Sequence, residues 1–265
     1  MTDRTAIAGG RGFIGTHLLA AIPGAFAFGR EGPPPRTCEA LVWAAGGRVG
    51  SAADLHDQHA DAPLRAIATL RPRRVVYLSS AEVYGRQPVP FSETTAPAPI
   101  TDYGHAKLQG ELAVAAACAA AGTPLFIVRP AIVYGPGQAP TMLIPAALAA
   151  LRAGQRFPTT DGTQTRDFLH VDDLVALVTR CLAPDAPPDT YNAGSGHETS
   201  VRDVLCTLAA AVDPAAADLL MFGAREPRPG EATRYVLEIR RAREHLLWSP
   251  TVDLETGLRR LAASR

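Results

Sequence analysis

The chain has 265 residues, 47% of them hydrophobic, and its 26 basic residues balance 26 acidic ones. That is enough apolar surface for a full core in one domain or two closely joined ones, and it excludes disordered and collagen-like chains. No excess positive charge is present to hold a phosphate backbone or an anionic membrane, so neither nucleic acid nor membrane is expected as a partner.

Residues 5–8 form a short β-prone run, a glycine cluster follows, and the apolar spacing of Phe13, Ile14, Leu18, Leu19 and Ile22 then predicts a helix. Similar apolar runs recur at 25–28, 40–44, 74–78 and 125–128, with helical stretches around 54–71 and 102–121 between most of them. This alternation predicts an α/β fold, a parallel sheet covered by helices on both faces. Residues 130–151 carry no charge, but Pro130, Pro136, Pro140 and Pro145 break any continuous membrane-spanning helix there. Further on, helices are predicted near 141–153, 171–182, 200–212, 239–247 and 253–262, with strands near 165–170 and at Tyr191. They suggest a second, smaller α/β lobe closing a cleft at the carboxyl ends of the sheet strands. Cys38, Cys118, Cys181 and Cys206 form no CxxC pair, so neither a zinc site nor a disulfide framework is expected. With no signal peptide evident at the start, a cytoplasmic protein with reduced thiols is the expectation.

Gly9, Gly10, Gly12 and Gly15 sit between the first strand and the first helix. Without side chains there, the backbone can approach a pyrophosphate, and the helix N-terminus offers it free N–H groups and a partial positive charge. The second strand ends in Gly29-Arg30, where an acid commonly binds the ribose of NAD. The Arg30 guanidinium suits the 2′-phosphate of NADP better, although Glu31 beside it could still serve NAD.

Tyr103 and Lys107 lie four positions apart on one predicted helix, so both emerge on the same face. Of the 26 basic residues Lys107 is the single lysine, a compact ammonium whose pKa can be tuned as an arginine's cannot. A phenol is a poor acid-base group at neutral pH unless a nearby cation favours its phenolate. Upstream, the strand 75–78 runs into Ser79 and Ser80, which places a hydroxyl where it could bond a reacting oxygen.

In this order the motifs resemble the extended short-chain dehydrogenase/reductase family, in its nucleotide-sugar epimerase/dehydratase branch. The resemblance rests on GGRGFIG at 9–15, WAAG at 43–46, YLSSAEVYG at 77–85, YGHAK at 103–107, VRPAIVYGPG at 128–137, RDFLHVDDLV at 166–175, YNAGSG at 191–196 and RPGE at 228–231. It implies a Rossmann-type doubly wound sheet over 1–130, joined by a strand near 189–194, and a substrate-binding lobe over 131–265. It implies Tyr103 as acid-base residue, Lys107 as its pKa modulator and ribose contact, and Ser80 as third member of the triad. Cofactor contacts would come from Gly9, Gly12, Phe13, Ile14, Gly15, Arg30, Ala44, Ala45, Gly46, Tyr103, Lys107 and Pro130. Arg166 and Arg228 would hold the diphosphate of a nucleotide sugar. A homodimer through the helices at 54–71 and 102–121 is also implied.

The sequence departs from that family in three places. Only about ten residues, 29–38, separate the second strand from the WAAG strand, so the third strand and its helix are expected to be missing and the adenine pocket shallower. Ile132 stands where the family often has an asparagine that holds substrate. Ala81 offers no acid for dehydration, although Glu82 could act as a base or touch substrate. The expected activity is therefore NAD(P)-dependent hydride transfer at carbon 4 of a nucleotide sugar, leaning to ketoreduction, with 4-epimerisation as the alternative. A 4,6-dehydratase and a non-catalytic dinucleotide sensor stand further behind. His56 and His59 with Asp57 and Asp61 could seat a metal by spacing, but a solvated or interface helix face is expected instead. Arg71, Arg73 and Arg74 are expected where a helix end meets a strand, since cations suit the C-terminal dipole.

Overall fold

The computed structural model describes residues 5–29, 38–226 and 233–264. In chain order its first part comprises β1 (Thr5–Ala8), α1 (Phe13–Ala21), β2 (Phe26–Phe28), β3 (Ala40–Trp43), α2 (Ala52–His56), a π-helical turn (Asp57–Asp61) and α3 (Ala62–Leu70). β4 (Arg74–Leu78), a 3-10 turn (Ala81–Tyr84), α4 (Asp102–Ala121) and β5 (Leu125–Pro130) follow. Then come β6 (Ile132–Tyr134), α5 (Leu143–Arg152), β7 (Phe157–Pro158), β8 (Thr165–Arg166), β9 (Phe168–His170), α6 (Val171–Cys181) and β10 (Thr190–Ala193). The chain ends with β11 (Thr199–Ser200), α7 (Val201–Val212), β12 (Leu220–Met221), α8 (Arg240–Leu246) and α9 (Leu254–Ala263).

Strand alternation builds the central layer. Ile7, Val42, Val76 and Leu78 enter one apolar cluster, and Ala6, Ala8, Leu41, Trp43, Val75 and Tyr77 enter another on the opposite face. Six strands pair in the order β10-β5-β4-β3-β1-β2, all parallel. This is the expected Rossmann-type sheet. Among the described residues it ends at β2, as the short connection at 29–38 predicts; Arg30 and Glu31 in that connection lie outside the described residues. A separate apolar cluster, including Tyr134, Leu148, Phe168, Leu205 and Leu258, is built by α5, α7 and α9 against the short β6–β9 pair. No helix among the described residues is long and apolar enough to cross a membrane.

The single helix expected over 54–71 is broken, and Pro63 supplies the reason. Proline has no N–H, so the carbonyl of His59 loses its intrahelical donor four residues on. The backbone widens into the π turn, with the Ala62 N–H reaching back to the Asp57 carbonyl. The orphaned His59 carbonyl instead accepts the Tyr77 hydroxyl at 2.8 Å. Gly110 of α4 makes room, since a Cβ there would lie 2.1 Å from both the His59 carbonyl oxygen and the Tyr77 hydroxyl.

The arginine cluster lies where a helix end meets a strand, as expected, between α3 and β4, but its members serve two different helix ends. Arg71 adopts φ 44° and caps α3 with its backbone. Arg74 crosses to a different helix end, donating to the carbonyls of Cys181 (2.7 Å) and Ala183 (2.5 Å) after α6.

A buried polar network joins α4 to the sheet. Arg129 on β5 holds Glu111 through two bonds, Nε to Oε1 at 2.9 Å and Nη2 to Oε2 at 2.5 Å, while the Ser79 hydroxyl donates to Oε1 at 2.5 Å. Arg129 Nη1 also donates to the Tyr84 hydroxyl at 3.1 Å, which donates at 2.7 Å to Asn192 on β10. Removing one partner of such a pair strands a buried charge, so Glu111→Ala should destabilise the protein by about 3–5 kcal/mol. Loss of the exposed Arg65–Asp57 pair through Arg65→Ala should cost no more than about 1 kcal/mol. Denaturant unfolding of both variants checks the contrast, and equal losses would contradict it.

Candidate active site

The glycine turn is built by close approach. Gly9 has φ 79° and its carbonyl accepts the Gly12 N–H at 2.8 Å, while a Cβ on Gly15 would lie 2.0 Å from that carbonyl oxygen. A Cβ on Gly9 would itself lie 2.8 Å from the Ala44 carbonyl and the Ala45 backbone, so the turn lies directly against the end of β3. Gly12 caps α1 without any side-chain bond, and the first turn, which Phe13 and Ile14 begin, contains no acid. This bare, electropositive helix end fits a dinucleotide pyrophosphate. Pro130 ends β5 in the same sheet.

Tyr103, Lys107 and Ser80 come together at the carboxyl end of β4. Thr101 caps α4 by accepting the Gly104 N–H at 3.0 Å, which sets the first turn that presents Tyr103. Lys107 is buried and donates from Nζ to the Leu78 carbonyl at 2.7 Å, 5.7 Å from the Tyr103 ring centre. Burial pushes its pKa down to about 7, opposed by the Glu111 carboxylate and reinforced by Arg48. Tyr103 is pushed up to about 12, chiefly by burial, with Arg48 and the Ser80 hydroxyl pulling downward and Glu82 upward. Ser80 caps the turn after β4, accepting the Glu82 N–H at 3.1 Å.

Glu82, singled out as a base, has its carboxylate engaged at both oxygens. Oε1 pairs with Arg48, and Oε2 accepts the Thr101 hydroxyl at 2.9 Å. Sequence reasoning missed Arg48. It follows the WAAGG loop and carries no motif signal, yet its guanidinium lies 4.6 Å over the Tyr103 ring. Tyr235 was also missed; its hydroxyl donates to the Ala81 carbonyl beside Glu82.

The helix face expected to be solvated or at an interface is split, and His59 is the part that turns inward. His56 is exposed and bonded to Gln109 at 2.9 Å, whereas His59 is fully buried with its ring edge-on to Tyr103 at 5.4 Å between centres. Its Nε2 donates to the Gly47 carbonyl at 2.9 Å, and a Cβ on Gly46 would lie 2.3 Å from its Cε1. Burial, helped by the Lys107 charge, pushes its pKa down to about 4, so it is neutral here. The two histidines take different partners, and the described residues hold no cluster of three or more metal-ligating side chains.

Arg166 lies buried on β8, with Nη1 donating to the Thr165 carbonyl at 2.7 Å. Arg228 lies outside the described residues. Ile132 packs against the apolar cluster built by α5, α7 and α9. The sequence model of the NAD dependent epimerase/dehydratase family matches residues 45–194. The chain belongs to this family.

Its relatives include a UDP-glucose 4-epimerase of Mycolicibacterium smegmatis, 34% identical over 215 residues, which are 75% of this chain and 67% of that protein. A dTDP-glucose 4,6-dehydratase of Xanthomonas campestris pv. campestris is 29% identical over 197 residues, 70% of this chain and 55% of that protein. The matches thus span between about half and two thirds of these relatives' length. The solved structure of MoeE5 in complex with UDP-glucuronic acid and NAD superposes with a TM-score of 0.84 at 26% identity, covering 96% of each chain. For this epimerase/dehydratase family member, the buried lysine has a cost that can be measured. In the unfolded chain Lys107 titrates near 10.5, and in the folded protein near 7, so the unfolded state binds the extra proton between those values. The folded state is therefore penalised in full below about pH 7, and the penalty fades as pH rises toward 10.5. Lys107→Met should gain on the native protein at neutral pH by a margin that shrinks by roughly 1.4 kcal/mol per pH unit above that. Urea unfolding across that range checks it, and a constant margin would contradict it.

Proposed function

We propose that the protein is an NAD(P)-dependent oxidoreductase that moves hydride at carbon 4 of a nucleotide-linked hexose, working in the direction of net ketoreduction. The observation that carries this reading is the meeting of Tyr103, Ser80 and Lys107 at the carboxyl end of β4, in the same sheet whose β1 runs into the glycine turn. The dinucleotide, when bound, supplies the hydride. Tyr103, pushed up to about 12, keeps its proton at neutral pH and delivers it to the oxygen as the carbonyl carbon is reduced. Ser80 holds that oxygen by a hydrogen bond that strengthens as negative charge develops on it. Lys107 stands beside the phenol and would hold a ribose hydroxyl. By their chemistry Arg166 and Arg228 would take the substrate diphosphate, and Arg30 would suit the 2′-phosphate if the cofactor is NADP.

The end of the sheet at β2 among the described residues, with only about ten residues before the next strand, supports reduction, because a shortened wall on the adenosine side would favour a dinucleotide that exchanges between turnovers. Epimerisation at the same carbon is the second reading, supported by the 34% identity to a UDP-glucose 4-epimerase. Dehydration is supported less, since Ala81 provides no acid and Glu82 is occupied by Arg48 and Thr101.

Purified protein should oxidise NADPH or NADH in the presence of a 4-keto nucleotide sugar and carry less than stoichiometric dinucleotide. Tyr103→Phe should lower the rate at least about a hundredfold. Stoichiometric, non-exchanging NAD with interconversion of C4 epimers would favour the second reading, and no turnover across a varied nucleotide-sugar panel would reject both. We further propose a homodimer formed through α2, α3 and α4, supported by the exposed Leu112 and the alanine-rich face of α4. Light scattering should give twice the 27.9 kDa chain mass, and the single mass would reject it.

A further inference from the structure

The phenol of Tyr103 faces more than one cation. Lys107 stands one helical turn along α4, but its ammonium is committed to the Leu78 carbonyl and lies 5.7 Å from the ring centre. The Arg48 guanidinium, reaching in from the loop after β3, lies closer, 4.6 Å from the same centre, where the negative face of the ring attracts a planar cation. Its other contact is the ion pair to Glu82, and that carboxylate is anchored through Thr101, the cap of the helix that carries Tyr103. Arg48, Glu82 and Tyr103 are thus tied to one another by three different elements.

We infer that Arg48 is a positioning residue that sets the ionisation of the Tyr103 phenol, and that Glu82 is the counter-ion limiting its effect. This deepens the acid-base reading of Tyr103 given above and rests on it. The other titratable groups facing the phenol do not replace Arg48. His59, edge-on from the π turn, is neutral, being pushed down to about 4. Tyr77 from β4 is held protonated by burial, and Ser80 is uncharged. Lys107, pushed down to about 7, surrenders its proton in the neutral range, whereas a guanidinium stays charged throughout it. Above neutrality, Arg48 is therefore the lasting positive charge at the reactive tyrosine. Glu82 acts in the opposite sense, so the two should tune the phenol in opposite directions.

The test reads Tyr103 directly and needs no turnover. A difluorotyrosine is incorporated at position 103, its ring fluorines bringing the phenol's titration into a range where the protein is folded, and fluorine NMR follows its ionisation with pH. Arg48→Gln should raise the titration midpoint by about one pH unit, and Glu82→Gln should lower it. Arg48→Lys, which keeps the charge but not the planar stack, should fall between native and Arg48→Gln. Midpoints unchanged in Arg48→Gln, or moved in the same direction by both neutralising variants, would overturn the inference. Arg48 is half exposed, so its replacement leaves the core intact. If the midpoints move as stated but no nucleotide sugar turns over, the proposed activity fails while the role of Arg48 stands.

Discussion

Glu111 and Arg129 meet with both charges removed from water, and the helix that carries Tyr103 and Lys107 is held on the sheet by that pair. Burying two ions costs several kcal/mol each, and the cost is offset only where geometry and further hydrogen bonds are good. Here the carboxylate receives two bonds from Arg129 and one from Ser79, and the guanidinium extends to Tyr84. The result is directional. α4 is fixed in rotation and height over β4 and β5, and one turn before Glu111 that fixes Lys107 under the Leu78 carbonyl. One turn earlier again it fixes Tyr103. The strength of the pair thus reaches the chemistry as geometry.

The same helix must also lie close to the π turn, and there a missing hydrogen bond does the work. Pro63 withholds an N–H, the His59 carbonyl takes the Tyr77 hydroxyl in its place, and Gly110 lets α4 approach both. His59 is consequently drawn inward against Tyr103 rather than left on a wet surface. Tyr103 and Lys107 are therefore packed in an environment that disfavours charge, which raises the one and lowers the other. A phenol that holds its proton beside an ammonium of lowered pKa would suit the proton delivery proposed for Tyr103.

Much of this was legible in the sequence because it rests on local pattern. The alternation of apolar runs and helices yields the six parallel strands, the glycine spacing yields the turn, and the four-residue step from Tyr103 to Lys107 places both on one face. What escaped depends on contacts between distant segments. Arg48 is an arginine after glycines in a chain with many arginines, and only the approach of β3, the turn at Ala81–Tyr84 and α4 brings it over Tyr103. His59 had the spacing of a surface ligand, and Pro63, visible in the sequence, was the signal that its helix would not continue regularly. The arginines at 71–74 mark a helix end meeting a strand, as their spacing suggested, but the bonds of Arg74 to the carbonyls at the end of α6 join distant segments and have no local signal.

The central claim is that hydride passes between a nicotinamide and a carbon of the sugar at the site formed by Tyr103, Ser80 and Lys107. The most direct measurement uses reduced dinucleotide carrying deuterium at the transferable position, with a 4-keto nucleotide sugar as acceptor and NMR analysis of the product. The account predicts deuterium bound to carbon 4 of the sugar, lost in parallel with activity in Tyr103→Phe. Deuterium retained in the dinucleotide while the sugar is transformed, or found at another sugar carbon, would contradict it.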